Sequence, residues 1–81
     1  MERVSREFYV LSRMHEAGMV SDERSASAQK IAEMTNIEAS IIETVLKTLE
    51  QRQLILKTTV ESTTRFYVSS LGIIMASAIY T

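Results

Sequence analysis

The sequence predicts a mainly α fold with a small β-hairpin, which belongs to the α+β class. Three features of the sequence support this prediction. Apolar residues recur at helical spacing in three segments before residue 53. Two short runs rich in β-branched and aromatic residues follow, and a polar connector separates them. An almost entirely apolar segment, residues 71–80, then comes near the end of the chain.

The composition is that of one globular domain covering residues 1–81. The chain is 46% apolar and 23% charged, and its formal net charge is −1. It has no Cys and a single His, so we expect neither a disulfide nor a zinc site. The segment 71–80 reaches only about half the thickness of a bilayer core, and no targeting segment is visible. We therefore expect a cytoplasmic protein without membrane contact.

Catalytic chemistry is not expected from these residues. His15 has no Cys to activate, and the two glycines, Gly18 and Gly72, are too far apart to form a phosphate-binding loop. Carboxylates are numerous, but so short a chain rarely supplies the concave, desolvated site that acid–base catalysis needs. The sequence predicts no enzyme, no metal, no cofactor and no small-molecule ligand.

The first helix is predicted over about residues 2–17, and Gly18 is suited to end it. Its buried face is predicted from four residues at helical spacing, Val4, Phe8, Leu11 and His15. Val10, Met14 and Ala17 form a second apolar line, which we expect to pack on the C-terminal helix or on another subunit. Residues 19–26 are predicted to be a loop, with or without a short extended piece.

The second and third helices are predicted over about residues 28–34 and 39–52. Ser27 is a suitable N-cap for the second helix, and Asn36 tolerates the left-handed conformation of a tight turn between helices. The third helix has a clear apolar stripe, formed by Ile42, Val45, Leu46 and Leu49. Its opposite face is mostly polar and contains Ser40, Thr44, Lys47 and Gln51, with Ile41 and Glu43 at the edge.

A hairpin is predicted over about residues 54–68, where the apolar period changes to two, with residues 61–64 as its connector. A last helix is predicted over about residues 70–80, with Ser69 or Ser70 as its cap. It is apolar nearly all round, so it cannot stand alone in water. This order of elements predicts a winged helix-turn-helix, with a three-helix core, a wing and an apolar C-terminal helix.

Short motifs at matching spacing extend over about two-thirds of the chain. Ser27 precedes the pair Ile31-Ala32, Leu49-Glu50 precedes Leu54-Ile55, and FYVSSLG occupies residues 66–72. These stretches resemble the winged-helix regulators of the multiple-antibiotic-resistance and arsenic-resistance type. Two positions depart from that family. Gln53 stands where Gly is usual, so the turn needs a non-Gly residue in a tight conformation or a different turn, and Glu38 replaces the usual Ser or Thr cap.

The resemblance implies a transcriptional regulator that binds duplex DNA, with the third helix in the major groove and the wing on the backbone. Carried onto this chain, the DNA-binding residues are Ser40, Ile41, Glu43, Thr44, Lys47, Gln51, Lys57 and Arg65. The near-neutral charge allows few phosphate contacts, so DNA binding nearly requires a homodimer. The predicted dimer interface comprises Val10, Met14, Leu71, Ile74, Met75, Ala78 and Ile79.

The alternative is a winged-helix module that binds protein, or a subunit of a larger assembly without DNA binding. The near-neutral charge, Glu43 on the expected reading face and the apolar C-terminal helix all suit this alternative. The surface around Lys47, Lys57 and Arg65, and the spacing of two recognition helices in a dimer, distinguish the two functions.

Overall fold

The structure, a computed structural model, describes residues 5–78. Its elements in chain order are α1 (Arg6–Glu16), a short 3-10 helix (Asp22–Arg24), β1 (Ala26–Ser27), α2 (Ala28–Thr35), α3 (Ala39–Gln51), β2 (Ile55–Val60), β3 (Thr63–Val68) and α4 (Ser70–Ala78). The predicted α+β class and the predicted winged helix-turn-helix are confirmed. No helix among the described residues is long and apolar enough to cross a membrane.

The wing is a tight antiparallel hairpin of β2 and β3. Its strands pair from Ile55 opposite Val68 to Val60 opposite Thr63. The turn between them consists of two residues, Glu61 and Ser62, with φ of 50° and 68°. Positive φ at both central residues is what a type I′ hairpin turn requires, and its twist suits the flanking strands. The connector is therefore shorter than the predicted segment 61–64.

A third strand completes the sheet, whose order is β1-β3-β2. The short strand β1 pairs Ala26 with Phe66 and Ser27 with Arg65. This strand leads directly into α2, so the sheet is connected to the helix-turn-helix on both sides, through β1 and through β2. The sequence left this segment open between a loop and an extended piece, because two residues are too few to show an alternating pattern.

The core lies where the three helices meet the base of the wing. Its largest fully buried side chains are Val10, Leu11, Met14, Ile31, Ile42, Leu46, Leu49, Ile55 and Val68. The apolar stripe predicted for α3 is confirmed, because all four of its residues are buried. The opposite face of α3 is thereby left on the surface.

The buried face of α1 differs from the predicted one. Val10 and Met14 are fully buried, whereas Phe8 and His15 are only half-buried, and Val4 lies outside the described residues. α1 contacts α2, α3, β3 and α4 of its own chain, so it buries a wider stripe than a single-faced helix. The prediction that Val10 and Met14 belong to a dimer interface is therefore wrong, because their own chain covers them.

Local signals set the boundaries of the helix-turn-helix. The Ser27 hydroxyl accepts a hydrogen bond from the backbone N–H of Lys30 at 3.2 Å, which confirms it as the N-cap of α2. Asn36 has φ 59°, the left-handed conformation expected for the turn. Glu38 precedes α3 without capping it through its side chain, and its Oε1 accepts a hydrogen bond from the Ser40 hydroxyl at 3.3 Å.

α4 returns against the junction between α3 and the wing. Ser69, one of the two predicted caps, is the N-cap of α4, because its hydroxyl accepts a hydrogen bond from the backbone N–H of Gly72 at 3.0 Å. The backbone N–H of Ser69 also donates to the Leu54 carbonyl oxygen at 3.0 Å. Gly72 and Ala76 are the buried residues of this helix. Small residues on one side let the helix backbone come close to the core.

Candidate nucleic-acid interface

The exposed side of α3 is a continuous polar strip. It is formed by the exposed residues Ser40, Glu43, Thr44, Lys47 and Gln51, with the half-buried Ile41 at its edge. The structure therefore places all six predicted α3 residues on or beside one surface. Because the apolar stripe anchors the opposite side of α3 in the core, the backbone that presents these side chains is fixed.

The hydroxyl groups of this strip are tied only loosely to the helix itself. The Thr44 hydroxyl donates to the carbonyl oxygen of Ser40 at 3.4 Å, and the Thr48 hydroxyl donates to that of Thr44 at 3.1 Å. A hydroxyl that donates in this way keeps lone pairs that can accept from a base edge, and it can rotate to donate elsewhere. Ser40, Thr44 and Gln51 thus offer both donors and acceptors.

A shallow groove joins α3 to the wing. Its lining comes from α2, α3 and both strands of the wing: Ala28, Glu43, Leu46, Lys47, Glu50, Lys57, Thr64 and Phe66. Lys47 of α3 and Lys57 of β2 line the same groove, so helix and wing form one surface. We call this surface, with the α3 strip, the α3–wing surface.

The charges on the α3–wing surface nearly cancel. Lys57 Nζ lies 3.4 Å from Glu50 Oε2, and both side chains are partly exposed. An exposed ion pair of this kind contributes at most about 1 kcal/mol, so Lys57 can exchange Glu50 for another anion at little cost. Lys47 has no ion-pair partner among residues 5–78, although Glu43 lines the same groove.

Arg65 lies on the other face of the wing. Thr64 and Phe66 line the groove, and successive side chains of a strand point to opposite faces, so Arg65 faces away from α3. Its Nε donates at 3.1 Å to both the carbonyl oxygen and the hydroxyl of Ser25, and its Nη2 donates to the same carbonyl oxygen. Arg65, which was predicted with Lys57 to contact the DNA backbone, thus lies on the opposite face of the wing from Lys57 and is hydrogen-bonded to Ser25.

The candidate dimer surface is the outer face of α4. Leu71, Ile74 and Met75 are 46%, 64% and 37% exposed, which is unusual for large apolar side chains. Ala78 is exposed on the same helix, and Ile79 lies outside the described residues. These positions follow helical spacing on the side opposite the buried Gly72 and Ala76. The small buried residues of α4 thus lie on the face against the core, and its large exposed apolar residues lie on the face toward solvent.

A metal centre is not visible among residues 5–78, where no three His, Cys, Asp or Glu side chains come together in a way that could hold a metal ion.

The fold is similar to that of several solved structures, while no known family profile and no curated protein matches the sequence. The DNA-binding TubR fragment from Clostridium botulinum superposes with a TM-score of 0.80 at 18% identity, covering 98% of this chain and 99% of that one. The S. aureus MepR–DNA complex gives 0.75 at 14% identity, covering 95% and 62%.

A third similar structure is the MarR family transcriptional regulator SPO1453 from Silicibacter pomeroyi DSS-3. It gives a TM-score of 0.72 at 15% identity, covering 91% of this chain and 49% of that one. This chain therefore spans about half of that regulator and almost the whole of the TubR fragment. The winged-helix fold that the sequence motifs implied is confirmed by these similarities.

Proposed function

We propose that this chain is a transcriptional regulator that binds duplex DNA as a cytoplasmic homodimer. The observation that carries the proposal is the α3–wing surface, where the exposed polar face of α3 borders a groove that Lys47 and Lys57 both line. The similarity in fold to a DNA-binding fragment and to a regulator solved with DNA supports it.

In this proposal α3 enters the major groove, which is wide enough to admit an α-helix. Ser40, Thr44 and Gln51 form hydrogen bonds with base edges, because hydroxyl and amide groups can both donate and accept there. Lys47 binds a phosphate or the acceptor edge of guanine. These roles require exposed side chains on a fixed helix, which is how α3 presents them.

Residues at the border of the strip contribute selectivity. Ile41 contacts a thymine methyl group, and Glu43 accepts a hydrogen bond from a cytosine amino group. Glu43 also disfavours sequences that bring a phosphate near it, since like charges repel. On the wing, Lys57 leaves Glu50 and binds the DNA backbone, an exchange that the exposed ion pair permits.

The dimer forms through the outer face of α4, formed by Leu71, Ile74, Met75 and Ala78, and through Ile79, which lies outside the described residues. A net charge of −1 leaves few phosphate contacts for one protomer, and a dimer doubles their number and links two half-sites, which raises the affinity. In such a dimer the two α3 helices lie about 34 Å apart, the length of one DNA turn, so that both enter the major groove on one side.

The experiment that tests this function measures binding to random duplex DNA at about 50 and 200 mM salt, where phosphate contacts lose much of their strength. The mass of the protein is determined by light scattering in the same buffers. We expect a dimer whose affinity falls as salt rises. A dimer or monomer without affinity even at the lower salt concentration would contradict the proposal and favour the protein-binding alternative.

A further inference from the structure

The hydrogen bonds between Arg65 and Ser25 connect two parts of the chain that are 40 positions apart in sequence. Three donor–acceptor contacts converge on Ser25, two on its carbonyl oxygen and one on its hydroxyl. Ser25 is only 3% exposed, so these contacts are shielded from water more than a surface pair would be. Hydrogen bonds from a charged donor in such a setting are stronger than those between neutral groups.

Ser25 lies immediately before β1, and this position gives the contact its importance. β1 begins at the next residue and runs directly into α2. Arg65 itself lies in the central strand of the sheet, opposite Ser27 of β1 and Thr58 of β2. The Arg65 side chain therefore joins the wing to the segment that holds the first helix of the helix-turn-helix.

The ladder between β1 and β3 is too short to fix the wing by itself. It consists of two residue pairs, whereas β2 and β3 pair along six residues each. A hairpin is marginally stable when it stands alone, so its orientation depends on its contacts with the rest of the protein. Arg65 lies midway along the hairpin, opposite Thr58 of β2, and adds three hydrogen bonds to the residue before β1.

The angle of the wing decides whether Lys57 shares a groove with Lys47. Lys57 pairs with Phe66 across the hairpin, and Arg65 occupies the neighbouring position on the opposite face. Rotation of the hairpin about its base would carry Lys57 away from α3 and divide the α3–wing surface. The contact between Arg65 and Ser25 on one face of the wing thus controls the α3–wing surface on the other face.

We propose that Arg65 is a positioning residue, which orients the wing for DNA through Ser25 and does not itself touch DNA. This inference rests on the proposed function, since it concerns the same surface. Its distinctive consequence is that the shape of the side chain matters more than its charge. The planar guanidinium reaches both acceptors of Ser25 with two nitrogens, whereas a lysine ammonium is a single point donor.

Arg65→Lys separates the two roles because it keeps the positive charge and removes the fork. The salt dependence of DNA affinity is measured for the wild type, Arg65→Lys, Lys57→Ala and the double variant. We expect each single variant to lower the slope of log affinity against log salt by about one per protomer, the amount expected for one phosphate contact. We expect the double variant to have the same slope as either single variant, because Lys57 no longer contacts DNA once Arg65 is replaced. Arg6→Lys, an exposed Arg outside the α3–wing surface, is the matched control and keeps the wild-type slope.

The outcome expected for a direct DNA contact is different. Lysine also binds phosphate, so Arg65→Lys would keep the wild-type slope and Lys57→Ala would lower it further in the double variant. Either result would overturn the inference while leaving the proposed function intact. If the wild type binds no duplex at low salt, the proposed function fails and the role of Arg65 in it fails as well.

A measurement on the wild type alone covers the case in which Arg65→Lys does not fold. The Nε–H of Arg65 is followed by NMR in ¹⁵N-labelled protein, free and with saturating duplex DNA. We expect a slowly exchanging proton whose resonance stays in place when DNA binds, because the group remains on Ser25. A large shift with faster exchange on binding would show that Arg65 leaves Ser25, which contradicts the inference.

Discussion

Gly72 lies in the first turn of α4, where the helix backbone passes close to the carbonyl group of Leu54. A Cβ at this position would lie 2.0 Å from the Leu54 carbonyl oxygen and 2.6 Å from Cγ1 of Val68. That oxygen also accepts the hydrogen bond from the backbone N–H of Ser69, so it cannot move without disturbing the junction of α3, β2 and α4. The glycine is required here for close approach.

Gly72→Ala is expected to destabilise the protein by about 2 kcal/mol or more, because overpacking against backbone atoms forces the helix to shift. The free energy of unfolding is measured in urea. Ser77→Ala, an exposed change in the same helix, is the control and should stay within about 0.5 kcal/mol of the wild type. An unchanged transition midpoint for Gly72→Ala would mean that α4 does not pack here as the structure shows.

Gln53 follows α3 in the left-handed conformation, with φ 62°. Its backbone N–H donates to the carbonyl oxygen of Glu50 at 2.9 Å and that of Leu54 to Leu49 at 3.0 Å, the pattern that ends a helix before a change of direction. The turn therefore has a tight left-handed geometry, although Gln and not Gly occupies it.

Gln53→Gly is expected to stabilise the protein by about 0.5 kcal/mol. The substitution removes the strain of a non-Gly residue in the left-handed conformation, about 1–2 kcal/mol. Part of this gain is lost, because glycine raises the conformational entropy of the unfolded chain. Thermal unfolding measures the change as a higher midpoint. Gln53→Ala, which keeps a Cβ in the same conformation, should leave the midpoint close to that of wild type. A lower midpoint for the glycine variant would argue against a strained turn.

At the scale of elements, α3 divides into two faces with different tasks. Its buried stripe holds the helix in place, and its exposed strip carries the side chains proposed to contact DNA. Within that strip, substitution of Lys47 should affect DNA binding differently from substitution of the neutral polar residues. A phosphate contact is independent of sequence, whereas a base contact distinguishes sequences.

Lys47→Ala is expected to weaken binding to all duplexes alike and to reduce the salt slope by about one per protomer. Thr44→Ala and Gln51→Ala should instead change the ranking of duplex sequences, with a cost of about 1–3 kcal/mol at the affected base pair. Fluorescence titration against a set of duplexes gives both quantities. Glu33→Ala, an exposed change in α2, is the control for helix substitutions. Unchanged binding in all three α3 variants would remove α3 from the interface.

α1 and β1 show why some elements are harder to predict than others. The side of α1 that the spacing assigned to a flank, with Val10 and Met14, is part of the core, because α1 contacts all three other α-helices and β3. β1 has only two residues and exists through its pairing with β3. In both cases the deciding contacts come from residues far away in the chain.

For the whole molecule, the exposed apolar face of α4 and the low net charge both support the proposed homodimer. A monomer of this size presents few cations to DNA, and Ile74 is 64% exposed. Covering the apolar face in a homodimer doubles the number of phosphate contacts and removes apolar surface from water. Assembly and DNA affinity should therefore change together.

Ile74→Glu is expected to convert the dimer into a folded monomer, since the side chain makes little contact with its own core. DNA affinity should fall by about 100-fold or more, the range by which linked half-sites exceed a single one. Sedimentation gives the mass, circular dichroism the fold, and titration the affinity. Gln29→Glu adds the same charge at an exposed site of α2 and should leave the mass unchanged. A dimeric Ile74→Glu protein would place the interface elsewhere.

Helical spacing, caps and turn residues were enough to predict the order of the elements, the buried stripe of α3 and the turn at Asn36, because they act between near neighbours in the chain. Only the folded chain shows which side of α1 is covered, that β1 joins the sheet, and that Arg65 binds Ser25 while Lys57 faces α3. These features depend on residues separated by tens of positions, and one sequence does not show which of them meet. Whether a cation faces DNA or the body of the protein depends on the face of the strand on which folding places it.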